Sequence, residues 1–280
     1  MLDSAKIARA VADSIREAAV RVRPDYLDAL RLAAERERSP RGREVIAQLL
    51  ENASIAEAEG LPACQDTGTV WVLVELGEDE CVCGDLAPEV DAAVAEAYRR
   101  AGLRMSVVRN ALVDRTNTGD NTPAFLDIKF RPGRGARVHV MLKGGGSDNA
   151  SRVVMLAPGD GLDGVARVVL DAVEAKATSA CPPLVIGVGV GTTFDKVGGL
   201  AKHALLRPVG ERSPDARVAA LESRILSAVN ATGIGPGGLG GDTTALAVHI
   251  EVAPCHIAAL PVAVNLGCCA MRSVTKELVG

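Results

Sequence analysis

From residue 69 onward the chain offers apolar runs of strand length, at 69–76, 124–130, 136–142, 184–190 and 244–252. Stretches with helical periodicity fall between them, at 88–101, 162–178 and 215–230. Helices and strands are therefore interleaved, but without the strict strand–helix–strand rhythm of a doubly wound sheet. This pattern restricts the chain to a mixed α/β (α+β) fold. The expectation is an N-terminal helical segment, then a mixed sheet with packed helices and Gly-rich loops. Two of the runs, RVHVML and TALAVHIEV, alternate apolar with polar residues, which suits antiparallel or half-buried strands.

The first sixty residues read as helical. Ile7, Val11, Ile15 and Val22 follow helical spacing behind Ser4 as a cap. Pro24-Asp25 restarts a helix through Leu27 and Leu30. Ser39-Pro40 opens a third, with serine at the cap and proline in the first turn, running toward Gly60. No internal repeat or low-complexity tract appears. The polar segment RPVGERSPDAR does not divide the chain, so residues 1–280 are expected to form one catalytic domain containing the 1–60 helical segment.

Composition narrows the function classes. Hydrophobic residues make up 48% of the chain but aromatics only 2%, so Val, Leu, Ile and Ala must fill the core. Few stacking side chains, no long basic run and a formal charge of −4 argue against nucleic-acid binding. No apolar stretch reaches the roughly 18 residues of a membrane helix. The first helix carries acids and is not a signal peptide. The reading is a soluble cytoplasmic protein. In that setting seven cysteines, an odd number, point to metal binding or catalysis rather than disulfides.

Three of those cysteines adjoin apolar runs and turn-forming residues: Cys64 in CQDTG, Cys181 in CPPLVIGVGVG and Cys268 in PVAVNLGCCAMR. They lie 117 and 87 residues apart, which excludes a local zinc knuckle or a CxxC run. Two readings remain open from spacing alone. The three are small core residues, or they converge on one cluster. A [4Fe–4S] cube with three thiolates keeps one iron open as a Lewis acid. Cys81 and Cys83 sit among acids, which disfavours the thiolate, and are read as structural.

Glycine-rich segments supply the second kind of signal. KGGGSDN, residues 143–149, follows a strand and can turn successive N–H groups toward an anion beside Lys143, or be a flexible turn. TGIGPGGLGGDTT contains G-x-G-x-x-G, but it follows a helix and precedes a strand, the reverse of the dinucleotide-binding order. It reads as a tight loop against the active site or a partner. NTGDNTP reads as a polar turn. His256 lies in PCHIAALP, His203 in a helix, and His139 and His249 on alternating strands where they face outward or pack.

Taken in order, CQDTG, NTGxNxP, KGGGSxN, ACPP and HxAxLPVAVNxxC resemble the iron–sulfur class I hydro-lyases, the class I fumarate hydratases and L(+)-tartrate dehydratases. The likeness covers nearly the whole chain. Because the sequence ends soon after the third cysteine motif, it looks like the α subunit of the two-subunit form. The resemblance implies a [4Fe–4S] cluster on Cys64, Cys181 and Cys268, with one iron left open. The adjacent pair Cys268-Cys269 is resolved toward Cys268 by the preceding proline and the following Arg272.

It further implies that Gln65 and Asp66 contact substrate, that Arg104 pairs a substrate carboxylate, and that Gly144, Gly145 and Gly146 line the pocket. His256 is expected to reach an active site across a subunit interface. The expected reaction is reversible hydration of fumarate to (S)-malate, with Asp66 as acid–base group; the alternatives are dehydration of L(+)-tartrate and a non-catalytic iron–sulfur protein. The remaining substrate contacts would come from a separate β subunit, in an α2β2 heterotetramer.

Overall fold

The amphipathic pattern of the N-terminus folds as three helices, after a two-residue strand β1 (Leu2–Asp3): α1 (Ser4–Val20), α2 (Pro24–Arg36) and α3 (Pro40–Glu59). The computed structural model describes residues 1–279. Ser4 is not the cap of α1. Asp3 takes that place, and its carboxylate accepts from Ala5 N–H at 3.0 Å, while Ser4 is buried. Ser39 does cap α3, accepting from Gly42 N–H at 3.1 Å, and Gly60 ends that helix with a positive φ.

Next come β2 (Thr69–Gly77), β3 (Val82–Cys83), α4 (Leu86–Arg100), β4 (Phe125–Arg131) and β5 (Ala136–Lys143). They are followed by a short helix α5 (Gly145–Asp148), β6 (Arg152–Leu156), α6 (Gly161–Lys176), β7 (Leu184–Thr192) and α7 (Phe194–Ala204). The chain closes with α8 (Ala216–Ala231), β8 (Ala245–Cys255), β9 (Leu260–Gly267) and β10 (Ser273–Leu278). This is the expected mixed α/β class.

The elements sort into two compact units. One comprises Met1–Arg23, Ala53–Gly145 and Arg272–Gly280; the other comprises Pro24–Asn52 and Gly146–Met271. In the first, four strands lie in the order β10-β5-β2-β4. The strand β5 is antiparallel to both neighbours and β2 is parallel to β4. Ile7, Val11 and Ile15 of α1 and Val90, Val94 and Tyr98 of α4 pack on Val70, Val72, Val74, Val138 and Val140 of that sheet.

The second unit repeats the same orientations with different segments. Its order is β6-β9-β7-β8, with β9 antiparallel to both neighbours and β7 parallel to β8. Helices α6 and α8 bury Val168, Val169, Val173, Leu221, Ile225 and Val229 against Ile186, Val188, Val248 and Val264. The glycines of GVGVG serve packing. A Cβ at Gly187 would lie 2.2 Å from Ala201 O, and one at Gly189 2.6 Å from Val197 O, so only glycine lets α7 lie this close to β7.

Two strand expectations are refined. RVHVML (β5) is antiparallel but almost wholly buried, and TALAVHIEV (β8) pairs in parallel with β7. Alternation marked a strand in both, but not the direction of its neighbour. His139 and His249 are buried, at 6% and 1% exposure.

Candidate active site

The CQDTG turn enters β2 in the first unit, and backbone contacts fix its shape. Gly68 has φ +81, and a Cβ there would lie 2.6 Å from Lys143 O, so the position admits only glycine without strain. The carbonyls of Thr67 and Gly68 each stand 3.0 Å from the Tyr98 hydroxyl, which donates to them, and Asn121 Nδ2 donates to Gly68 O at 3.2 Å. Burial pushes the Tyr98 phenol upward, so it stays protonated and remains a donor. Thr67 donates to Arg104 O at 2.6 Å, tying the Arg104 backbone to the turn while its side chain is exposed.

Asp66 sits within this frame with each of its three oxygens accepting a hydrogen bond. Its Oδ1 accepts from Gly68 N–H at 3.0 Å and its Oδ2 from Gly145 N–H at 2.8 Å. Its backbone carbonyl accepts from Arg272 Nη1 at 2.7 Å, and Arg272 is only 2% exposed. Gly144 is buried beside the carboxylate. A Cβ there would stand 3.2 Å from Asp66 Oδ2. The expected trio Asp66, Gly144 and Gly145 thus meets in one place, with Gln65 exposed and Cys64 half-buried next to it. Cys64 Sγ lies 3.4 Å from Gln65 Oε1.

Register explains the meeting. Thr69 at the start of β2 pairs with Lys143 at the end of β5, so the turn before one strand and the glycines after the other share a sheet end.

The second unit uses the same device. Val185 of β7 pairs with Gly267 of β9, so the residues before β7 and after β9 emerge together. Cys269 N–H donates to Cys181 O at 2.9 Å. Cys181 is exposed and adopts φ +54, and Cys268 is half-buried. The adjacent glycine loop braces the same turn: Gly237 N–H donates to Pro182 O at 2.8 Å. Gly146 also packs there, with its Cβ position 2.6 Å from Ser179 O. Tyr26, on α2, is wholly buried and donates to Pro183 O at 2.8 Å. Burial drives its phenol well above the ordinary tyrosine range, and the neighbouring Cys269 and Cys268 add to the effect.

Tyr26 and Tyr98 escape the sequence: they act through buried hydrogen bonds to backbone, which no local motif marks. Asn121, in NTGxNxP, and Arg272, after the third cysteine motif, lie in strings the sequence singles out, but their bonds to Gly68 O and Asp66 O do not show there. NTGDNTP was read as a polar turn, yet Asn121 is 0% exposed and also accepts from Ser106 N–H at 2.6 Å. His256 goes elsewhere. It is exposed on the turn between β8 and β9, at the far end of β9 from Cys268, with Nδ1 accepting from Ala258 N–H at 3.1 Å. Eight residues of strand separate those ends, roughly 25 Å. Cys81 and Cys83, read as structural, are exposed, and Cys83 lies on β3 where it pairs with Asp3 of β1.

Among the described residues no three His, Cys, Asp or Glu side chains are gathered on a single ion. A cube distributes its thiolates one to each iron, so its ligands need not share an ion. The donor chemistry fits it: Cys64, Cys181 and Cys268 are free thiols, none is fully buried, and each lies in a turn next to a strand.

Comparison with known proteins gives the class. The family model described as Fumarate hydratase (Fumerase) matches residues 8–277. The chain belongs to the fumarate hydratase family, and is a hydro-lyase. It is 38% identical over 279 residues to a protein of Methanocaldococcus jannaschii provisionally named L(+)-tartrate dehydratase subunit alpha, covering 98% of both chains. It is 34% identical over 275 residues to the L(+)-tartrate dehydratase subunit alpha of Escherichia coli strain K12, covering 96% of this chain and 90% of that one. No helix is long and apolar enough to cross a membrane among the described residues.

Proposed function

We propose that this chain is the α subunit of a two-subunit iron–sulfur hydro-lyase that reversibly adds water to fumarate to give (S)-malate in the cytoplasm. The observation that carries this reading is Asp66. Its carboxylate is oriented by the N–H groups of Gly68 and Gly145 and stands two residues from a cysteine. A carboxylate so oriented is suited to moving a proton at the carbon next to a substrate carboxylate. L(+)-tartrate is the second reading, favoured by the names of the relatives that match 96–98% of the chain.

Cys64, Cys181 and Cys268 would hold a [4Fe–4S] cluster. When bound, the cluster supplies an open iron as Lewis acid for the substrate hydroxyl and carboxylate. Asp66 takes or returns the proton. Removing it builds negative charge on the neighbouring carboxylate, which the exposed Arg104 guanidinium can pair bidentately. Gln65, exposed beside Asp66, can donate to the same group. In the glycine loop Gly145 N–H is already committed to Asp66. Its part is therefore to aim the base, with Gly144 leaving room for the carboxylate and Gly146 lining the loop. His256 would serve an active site other than the one its own strand end reaches.

The whole of residues 1–280 is read as one catalytic subunit. A separate β subunit would supply further substrate contacts, in an α2β2 assembly; the relatives' designation as alpha subunits supports that companion. The test is turnover of fumarate, (S)-malate and L(+)-tartrate by the chain produced anaerobically with and without its companion. Hydration of fumarate in the pair, and little by the chain alone, is expected. Preference for tartrate would move the assignment to the second reading, and full activity of the isolated chain would remove the companion.

A further inference from the structure

The chain has three phenylalanines, and all are largely exposed: Phe125 at 50%, Phe130 at 72% and Phe194 at 68%. Two of them lie on β4, an edge strand that also exposes Ile128 at 51%. Among the described residues β4 pairs only with β2, so its other edge presents unpaired backbone. The direction of those groups follows from one hydrogen bond. Glu78 N–H donates to Arg131 O at 2.9 Å, so the odd-numbered residues of β4 turn their polar backbone toward β2. Leu126, Ile128 and Phe130 turn theirs outward.

We infer that β4 is a self-pairing edge, and that two copies of this chain join there antiparallel about a two-fold axis through Ile128. In that register the outward-facing residues meet as hydrogen-bonded pairs, Ile128 on Ile128 and Leu126 on Phe130 of the second copy. The intervening pairs, closer at about 4.5 Å between Cα atoms, set Asp127 against Lys129 twice. Phe125 comes opposite Arg131, a cation–π arrangement. Neighbouring registers of the same parity fail on charge. Centring on residue 127 sets Asp127 on Asp127, and centring on 129 sets Lys129 on Lys129, each destabilising. Asp127 is already steadied by Trp71 Nε1, which donates to it at 2.9 Å. A lysine on an edge strand ordinarily discourages pairing; here its opposite number is an acid. The other face of the joined strands would carry a continuous row of Leu126, Ile128 and Phe130 from both copies, giving the exposed Ile128 and Phe130 apolar neighbours. The inference concerns assembly and does not rest on the hydro-lyase reading.

Sedimentation equilibrium of the full chain at tens of micromolar tests it, with thermal melts to confirm folding. The wild type is expected to contain this chain in twos. Asp127→Lys alone sets Lys on Lys, and Lys129→Asp alone sets Asp on Asp, so each variant is expected at half the wild-type mass. An equimolar mixture of the two variants restores opposite charges in both pairs and is expected to recover the full mass as a mixed dimer. A wild type with one copy, single variants that keep the wild-type mass, or folded variants that fail to reassociate on mixing would each overturn the inference. The mixture also guards against a trivial folding defect, because a misfolded variant cannot be rescued by another.

Discussion

Arg272 donates from Nη1 to the backbone carbonyl of Asp66 at 2.7 Å, across more than two hundred residues of sequence. The guanidinium is buried at 2% exposure, and its own carbonyl accepts from Leu142 N–H at 3.0 Å. One residue therefore fastens the turn that carries the acid to the strand that carries the glycines. Arg272→Met should leave the Asp66 carbonyl without its donor and lower stability by about 1–3 kcal/mol. The turnover number should fall more than KM changes, because the misplaced group acts in the transition state. Urea melts and steady-state kinetics on the assembled enzyme check both.

Asp66→Asn keeps the size of the side chain but removes the proton acceptor, and its NH2 replaces an oxygen that accepts from Gly68 or Gly145. Turnover should fall by about 10²–10⁴-fold, while iron and sulfide content stay at the wild-type level. A loss within about tenfold would show that another group moves the proton.

Gly144→Ala adds a methyl 3.2 Å from Asp66 Oδ2. The carboxylate must shift by a few tenths of an ångström or give up a hydrogen bond from Gly145. A drop of about tenfold in turnover is expected, with little change in melting temperature, since small misplacements of a reacting group are costly.

The adjacent thiols can be separated by substitution. Cys268→Ser should abolish retention of iron and sulfide in anaerobically purified protein, whereas Cys269→Ser should retain both. Loss of iron in Cys269→Ser alone would reassign the ligand.

Tyr26 predicts an alkaline limit. Its phenol is raised in the folded state, so folding favours the protonated form. That contribution is complete below the unfolded value of about 10 and is lost as pH rises above it. Tyr26→Phe should cost about 1 kcal/mol near neutral pH by removing the bond to Pro183 O. Its stability should then decline less steeply above pH of about 10. Urea melts across the alkaline range measure the difference.

How far the sequence could be read differs between elements and site. Strands β2, β5 and β7 and helices α2 and α3 were legible because their apolar periods and proline or serine signals are local. The sequence reading does not find β6, β9 or β10. β6 and β10 are short, half-exposed edge strands with little continuous apolar signal, while β9 is a buried inner strand whose run is interrupted by Pro261 and Asn265. At the site, CQDTG and KGGGS were found as unusual strings, and the register of β2 on β5 brings them together. Tyr26 and Tyr98 stay hidden, and Asn121 and Arg272 show only as members of a motif, since a side chain that hydrogen-bonds distant backbone looks like any other polar residue in a string.

The two sheets share one plan, and in each the chemistry-bearing turns leave the two inner strands, β5 and β2 or β9 and β7. Inner strands are laced on both flanks, so their amides should be the last to trade hydrogen for deuterium. Groups seated at those ends inherit the slowest-breathing backbone of the molecule, and fraying at the outer strands need not reach them.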